Sequence, residues 1–387
     1  MEVLYHKRSP WKNAPFYARI NTMANLVLYR KYRPQTFSEV VGQEHIVQTL
    51  KNAVRGNLIA HAYLFSGPRG SGKTSLARIL AKAVNCKNPK AGEPDNACEY
   101  CQEINQGRAL DLLEIDAASN RGIDEVRDLK EGIRFAPARL KYKVFVVDEA
   151  HQLTKEAANA LLKTLEEPPA HAIFVLATTE VHRMTDTIVS RCQRFDFRKL
   201  RVAEIVSRLE EIAKKEGAAI DKMALQIIAG RASGSLRDAE SLLDRILTFH
   251  AKDRVASETV QELLGIVDVS ILSEFADLLF AKKAAQAVEF LNKKLQEGMD
   301  PQEFSKNLVE YLRSILILKL NPELQEALAP SFTTEQQEKM GKLARAAEGK
   351  FLTNVLRHFM EAERDMRYAD IVQLPLELAI VESTSKE

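Results

Sequence analysis

Two stretches of the sequence carry residues whose types and spacing suit phosphate chemistry. GPRGSGKT (67–74) lies between the apolar run AYLFS and the helical pattern SLARILAKAV. In a strand–loop–helix setting, glycines let backbone N–H groups turn inward on phosphates, and the helix start adds positive potential. Lys73 would then reach the β- and γ-phosphates and Thr74 would hold magnesium. The expected phosphate-binding set is Gly67, Pro68, Arg69, Gly70, Ser71, Gly72, Lys73, Thr74 and Ser75. KVFVVDEAH (143–151) supplies the complement, a buried strand that delivers Asp148 to its carboxyl end as a magnesium ligand, directly or through water. Glu149 would orient and deprotonate an attacking water. Alone, an Asp-Glu pair after a strand is an ordinary solvated strand end; beside a phosphate cradle it becomes a hydrolytic pair.

Two more stretches raise questions that spacing leaves open. Three of the four cysteines fall in CKNPKAGEPDNACEYC (86–101), with Cys98 and Cys101 in CxxC spacing. That bite suits two thiolates on one tetrahedral metal, and Cys86 adds a third, but a structural zinc wants four ligands. IVSRCQRF (188–195) puts Arg191 immediately before a strand. A positioned guanidinium can stabilise charge spread over a transferring γ-phosphate, yet the spacing describes a surface arginine equally well.

These residues need elements to hold them. A chain of 387 residues allows two to three domains, and 45% hydrophobic with 28% charged residues is a globular composition. Between about 60 and 200, the β-rich runs AYLFSG (62–67), LDLLEID (110–116), KVFVVDEA (143–150), AIFVLATT (172–179) and CQRFDF (192–197) alternate with helical patterns. Near-continuous apolar strands separated by helices predict a parallel sheet covered on both faces, an α/β domain. Between 150 and 170 the spacing predicts a helix with Leu161, Leu162 and Leu165 on one stripe, capped by Thr154 and stopped by Pro168 and Pro169. After about 200 the pattern is helical throughout, with a second shift near Asp268 and an amphipathic helix marked by Phe304, Leu308, Leu312 and Ile315.

A formal charge of +2 names no partner. The clustered cysteines favour metal over disulfides and a reducing, cytoplasmic setting. No apolar run reaches membrane-span length, the nearest being SILILKL (314–320), so no membrane partner is expected. Residues 1–23 have no continuous apolar core of a signal peptide and are expected to be a disordered extension before the segment that follows Met23.

The combination GPRGSGKT, VVDEAH, LLKTLEEPP, LATT, TIVSRC and GSLRDAESLLD, preceded by YRKYRPQTFSEVVGQEH (29–45), resembles the γ/τ motor subunits of the bacterial DNA polymerase III clamp loader, a family of AAA+ ATPases. The resemblance implies a P-loop NTPase domain at 24–200 with an inserted zinc module at about 86–105, a small helical lid at 201–267 and an all-helical collar at 268–382. It implies that Arg191 is an arginine finger acting on a neighbour's nucleotide, that Thr179 and Arg237 are the two sensors, and that Tyr29, Arg30, Arg33, Pro34 and Val41 pack on adenine and ribose. It also supplies a register for the cysteine loop. Cys86, position 95, Cys98 and Cys101 match the family's four zinc ligands, and position 95 is Asp95, whose carboxylate can serve as the fourth. Cys192, the remaining cysteine, is its competitor.

The cofactors so implied are ATP, Mg2+ and structural Zn2+. The implied partners are δ, δ′ and further γ/τ copies in an open ring, the β sliding clamp, and primed DNA held through its phosphates. For DNA contact the candidate is NRGIDEVRDL (120–129), with Arg121 and Arg127; a solvated helix face fits those residues as well. The activity implied is ATP hydrolysis within the polymerase holoenzyme, without a polymerase active site, in a γ-like form lacking the τ-specific domains. Two rivals stay in view. A hexameric branch-migration motor would carry a winged-helix domain in place of the collar, and a non-enzymatic arm subunit of the same ring would lack a working P-loop.

Overall fold

The computed structural model describes residues 26–119, 132–133, 135–249, 254–324 and 334–385. The expected extension at 1–23 and the segment 120–129, with Arg121 and Arg127, lie outside the described residues. The chain divides into two compact units, Met1–Arg198 with Glu240–Asp244, and Lys199–Ala239 with Arg245–Glu387.

In the first unit all five expected strands form: β1 (Ala62–Ser66), β2 (Leu112–Asp116), β3 (Lys143–Asp148), β4 (Ala172–Thr178) and β5 (Gln193–Asp196). They make one sheet in the order β2-β3-β4-β1-β5, with every pairing parallel. Because side chains alternate along a strand, each strand feeds two cores. Tyr63, Phe65, Val144, Val146, Ile173 and Val175 pack on one face with Ile46 and Leu50 of α2 (Glu44–Arg55) and Leu76, Ile79 and Leu80 of α3 (Lys73–Asn85). Their neighbours Leu64, Phe145, Val147, Phe174 and Leu176 pack on the other, against Leu161 and Leu165 of a later helix. That layering is the parallel α/β sheet covered on both faces that the strand pattern predicts.

The helix predicted between 150 and 170 runs Lys155–Glu166. Thr154 Oγ1 accepts the Ala157 N–H at 3.2 Å at its start. It ends just before the two prolines, which cannot continue the ladder. A short helix at α1 (Leu28–Lys31) precedes α2, and α4 (Glu99–Asn105) lies in the cysteine segment. Lys155–Glu166 is α5, and the short helix Asp186–Val189 is α6.

Among its described residues the second unit is helical apart from loops and one isolated bridge, Ile220 to Val255. It begins with α7 (Val202–Lys215), α8 (Lys222–Arg231), α9 (Leu236–Phe249) and α10 (Ser257–Leu263). Then come α11 (Val269–Phe280), α12 (Ala284–Gln296), α13 (Pro301–Leu320), α14 (Thr334–Ala346), α15 (Gly349–Asp365) and α16 (Leu374–Thr384). The shift read at Asp268 is a helix start: its carboxylate accepts the Ser270 N–H at 2.7 Å. The stripe Phe304, Leu308, Leu312 and Ile315 is wholly buried. Phe275 meets Phe304 edge-on at 5.0 Å and Phe359 at 6.0 Å, the arrangement aromatic quadrupoles favour.

Candidate nucleotide and metal sites

The P-loop joins β1 to α3 through three left-handed or extended glycines, Gly67 (φ 148°), Gly70 (φ 72°) and Gly72 (φ 101°). At Gly67 there is also no room: a Cβ would strike the carbonyl oxygen of Phe197, which follows β5 and donates its own N–H to Ser66 O at 2.6 Å. Lys73, buried at the start of α3, donates Nζ to the carbonyls of Gly67 at 2.7 Å and Pro68 at 2.9 Å. Burial pulls its pKa down, against the opposing charges of Glu149 and Asp148.

Parallel register places the candidate hydrolytic groups at the same end of the sheet. Ser66, the last residue before the loop, pairs with Thr178, and the Gly67 N–H donates to Thr178 O at 3.1 Å. Thr74 donates its hydroxyl to Asp148 Oδ2 at 2.7 Å, so the two magnesium candidates already touch. Asp148 Oδ1 accepts the Glu149 N–H at 3.0 Å. Glu149 itself sits in the left-handed region (φ 48°), uncommon for a residue with a side chain, and Thr179 donates to its Oε2 at 2.9 Å. Thr74, Asp148, Glu149 and Thr179 thus form one hydrogen-bonded cluster, with Lys73 feeling the charges of its two carboxylates.

Sequence reasoning missed a histidine inside the quoted VVDEAH. The His151 side chain is 2% exposed. Its Nδ1 lies 2.9 Å from Thr178 Oγ1 and 3.5 Å from Glu149 Oε2, and its Nε2 lies 3.3 Å from Glu180 Oε1. It bridges the turn after β3 to the end of β4. Gln43 is also wholly buried, donating to Arg198 O at 2.9 Å and accepting the Arg198 N–H at 3.3 Å.

The segment expected to pack on the base is at least partly accessible. Tyr29 lies on α1 with the Arg30 guanidinium 5.9 Å from its ring centre, and Arg33, Pro34 and Val41 are half-buried. Arg237 stands in the first turn of α9, in the second unit. Arg191 lies apart from the cluster. Gln193 pairs with Tyr63 and Asp196 with Ser66, so a residue before Gln193 emerges at the sheet end opposite the P-loop. There Arg191 donates to Thr187 O at 2.8 Å and pairs with Glu166 at 2.7 Å.

The structure brings the four residues of the cysteine register together. Ligand atoms of Cys86, Asp95, Cys98 and Cys101 all lie within 4.8 Å of one another, close enough for one tetrahedral ion to span. Asp95 Oδ1 accepts the Cys98 and Ala97 N–H groups, each at 3.1 Å, and those amides, Cys98 first, hold its carboxyl far below the usual range. Its other oxygen can face a metal. Burial pushes the Cys86 and Cys101 thiols up, so metal capture there must release protons. Cys192 belongs to the opposite-face core and is no part of the cluster. Beside the loop, Lys82 is buried to 1% exposure, and burial lowers its pKa to about 8.

Three family models match successive parts of the chain. Residues 42–201 match the family model described as DNA polymerase III, delta subunit. Residues 204–251 match the DNA polymerase III clamp loader subunit, ATPase lid domain, and 255–385 match DNA polymerase III subunits gamma and tau domain III. DNA polymerase III subunit tau of Bacillus subtilis is 42% identical over 359 residues, 93% of this chain and 63% of that protein, so the chain spans less than two thirds of that relative. DNA polymerase III subunit gamma of Buchnera aphidicola subsp. Acyrthosiphon pisum is 34% identical over 92% of this chain and 97% of its own length. Among solved structures, the Thermotoga maritima RuvB Holliday junction branch migration motor aligns with a TM-score of 0.47 at 22% identity, over 64% of this chain and 79% of that one. With a gamma subunit matched across nearly its whole length, the chain belongs to the DNA polymerase III gamma/tau family.

Proposed function

We propose that this chain is an ATP-hydrolysing motor subunit of a clamp loader, acting in the cytoplasm within a ring of δ, δ′ and further γ/τ subunits to open a sliding clamp and place it on primed DNA. The observation that carries the reading is the connected cluster beneath the P-loop, in which Thr74 bonds Asp148 and Thr179 bonds Glu149. Backbone amides of the P-loop and Lys73 bind the phosphates. Thr74 and Asp148 would hold magnesium, which would supply charge neutralisation at the phosphates when bound. Glu149 takes the proton of the attacking water while Thr179 keeps its carboxylate aimed. Tyr29, Arg30, Arg33, Pro34 and Val41 hold adenine and ribose, and Arg237 reads the γ-phosphate from the lid.

The place of Arg191 favours action between subunits. One chain offers its P-loop at one end of the sheet and its guanidinium at the other, so assembly and chemistry are coupled. Zinc in the Cys86, Asp95, Cys98 and Cys101 cluster would fix the loop that carries them. Arg121 and Arg127 remain the candidates for DNA phosphates.

The branch-migration rival expects a winged-helix domain where 255–385 match gamma and tau domain III. The non-enzymatic arm is disfavoured by the presence of Lys73, Thr74, Asp148 and Glu149 together. The test is ATPase of the chain alone and with δ-type partners, clamp and primed DNA. Low turnover alone and high turnover with all of them is expected, and turnover that survives Lys73→Ala would overturn the proposal.

A further inference from the structure

The cysteine loop grips a particular part of the first unit. Glu93 accepts the backbone N–H groups of Phe37 at 2.7 Å and Ser38 at 3.0 Å, and pairs with Lys51 of α2 at 3.0 Å. Asn96, in the left-handed region between Asp95 and Cys98, donates to Gln35 O at 3.2 Å. Residues 35–38 lie between Pro34 and Val41, inside the stretch assigned to adenine and ribose. A close fit at Gly92 supports the grip: it adopts φ 85°, and a Cβ on it would approach Lys51 O to 2.6 Å.

At the centre of this grip is Lys82, nine residues into the helix that the P-loop opens. Its Nζ donates to Gln35 O at 2.7 Å, Gln35 Oε1 at 2.8 Å, Asn96 Oδ1 at 2.7 Å and Asn105 Oδ1 at 2.8 Å. Gln35 passes the contact on, donating Nε2 to Arg33 O at 3.1 Å. An ammonium withdrawn from water must be compensated, and these hydrogen bonds compensate it with neutral oxygens. Three thiolates and a carboxylate around one divalent ion would leave the neighbouring cluster negative, a counter-charge for the buried cation. A metal-bound loop therefore holds Asn96 and Asn105 where the ammonium needs them, and the ammonium holds Gln35.

We propose that the metal loop positions the adenine-binding segment, with Lys82, Asn96 and Glu93 as the positioning residues that transmit its order to Arg33 and Pro34. The inference rests on the nucleotide site proposed above. It gives the metal a task in nucleotide affinity rather than in DNA contact or subunit pairing.

The experiment compares two ligands on the full chain: a fluorescent ATP analogue, and inorganic tripolyphosphate, which occupies the P-loop but has no base or ribose. Lys82→Met, Asn96→Ala and metal removal confirmed by metal analysis should each weaken the ATP analogue about tenfold, as expected when charge-assisted hydrogen bonds that order a binding segment are lost. Tripolyphosphate affinity should stay within about twofold, a split that general loss of the fold would not produce. Should Lys82→Met fail to fold, Asn96→Ala and Glu93→Gln carry the same comparison on the loop itself. Unchanged affinity for the ATP analogue in the loop variants and the metal-free chain overturns the inference. So does parallel loss of both ligands. Lys73→Met separates the two readings: if it leaves both ligands bound, the nucleotide site itself is wrongly placed.

Discussion

Arg191→Ala offers the sharpest test of where the chemistry is assembled. Gln193 is level with Tyr63, four residues before Gly67, and Arg191 lies in the turn before Gln193, so at least about 13 Å at about 3.3 Å per residue separates it from Gly67 of its own chain. That is beyond one side chain. The competing attachment to Glu166 is weak: the two side chains are 34% and 49% exposed, and an ion pair this open is worth about 0–1 kcal/mol. An arginine supplied to a phosphoryl-transfer site is worth about 10³ to 10⁵ in rate. Deducting as much as fivefold for release from Glu166 leaves a loss of at least about 10² in kcat for the assembled complex. Arg191→Ala alone cannot tell a remote effect from direct contact, so the assay mixes it with Lys73→Ala in equal amounts before assembly. Each variant alone is inactive, but a head-to-tail contact between them can pair an intact P-loop with an intact arginine at about a quarter of random interfaces. Recovered ATPase in the mixture is expected. A mixture as inactive as its components, or full turnover by Arg191→Ala alone, refutes the argument.

Three further outcomes follow from particular contacts. Removing the buried bridge with His151→Ala should lower kcat about tenfold while the ATP KM holds, with partial recovery in His151→Gln, read by steady-state ATPase. Burial would raise the Asp111 pKa, but the Leu140, Ala138 and Arg139 N–H groups outweigh it and hold the carboxyl below its ordinary value. Its stabilising share is therefore complete above about pH 4 and is lost as pH falls through the lower folded pKa, so urea midpoints measured against pH should drop less steeply in Asp111→Asn than in the parent. Phe304→Ala, at a position with no exposure, should cost the second unit about 3–5 kcal/mol in a denaturant titration.

What could be read from the order of residues was local or periodic. The P-loop announced itself because its glycines, lysine and threonine are consecutive, and the strands because both of their faces are apolar. Asp268 was read only as a shift in pattern, whereas Thr154 was legible as a cap because a cap bonds amides two or three residues away. His151, Gln43, Lys82 and Asp111 were not. Their partners lie 27, 155, 14 to 47 and 27 to 29 residues distant, and a polar side chain in a core leaves no period to detect. The position of Arg191 at the far end of the sheet likewise depends on β5 pairing with β1, a fact of topology rather than of spacing.

Gly67 shows a different kind of constraint. The carbonyl of Phe197 occupies the volume that any side chain at Gly67 would need, so the boundary there is drawn by backbone against backbone. Lys73 or Glu149 could be exchanged for a residue that fits but fails at its task. At Gly67 even one methyl group has nowhere to go, and β5 guards the cradle's doorway without contributing a functional group to it.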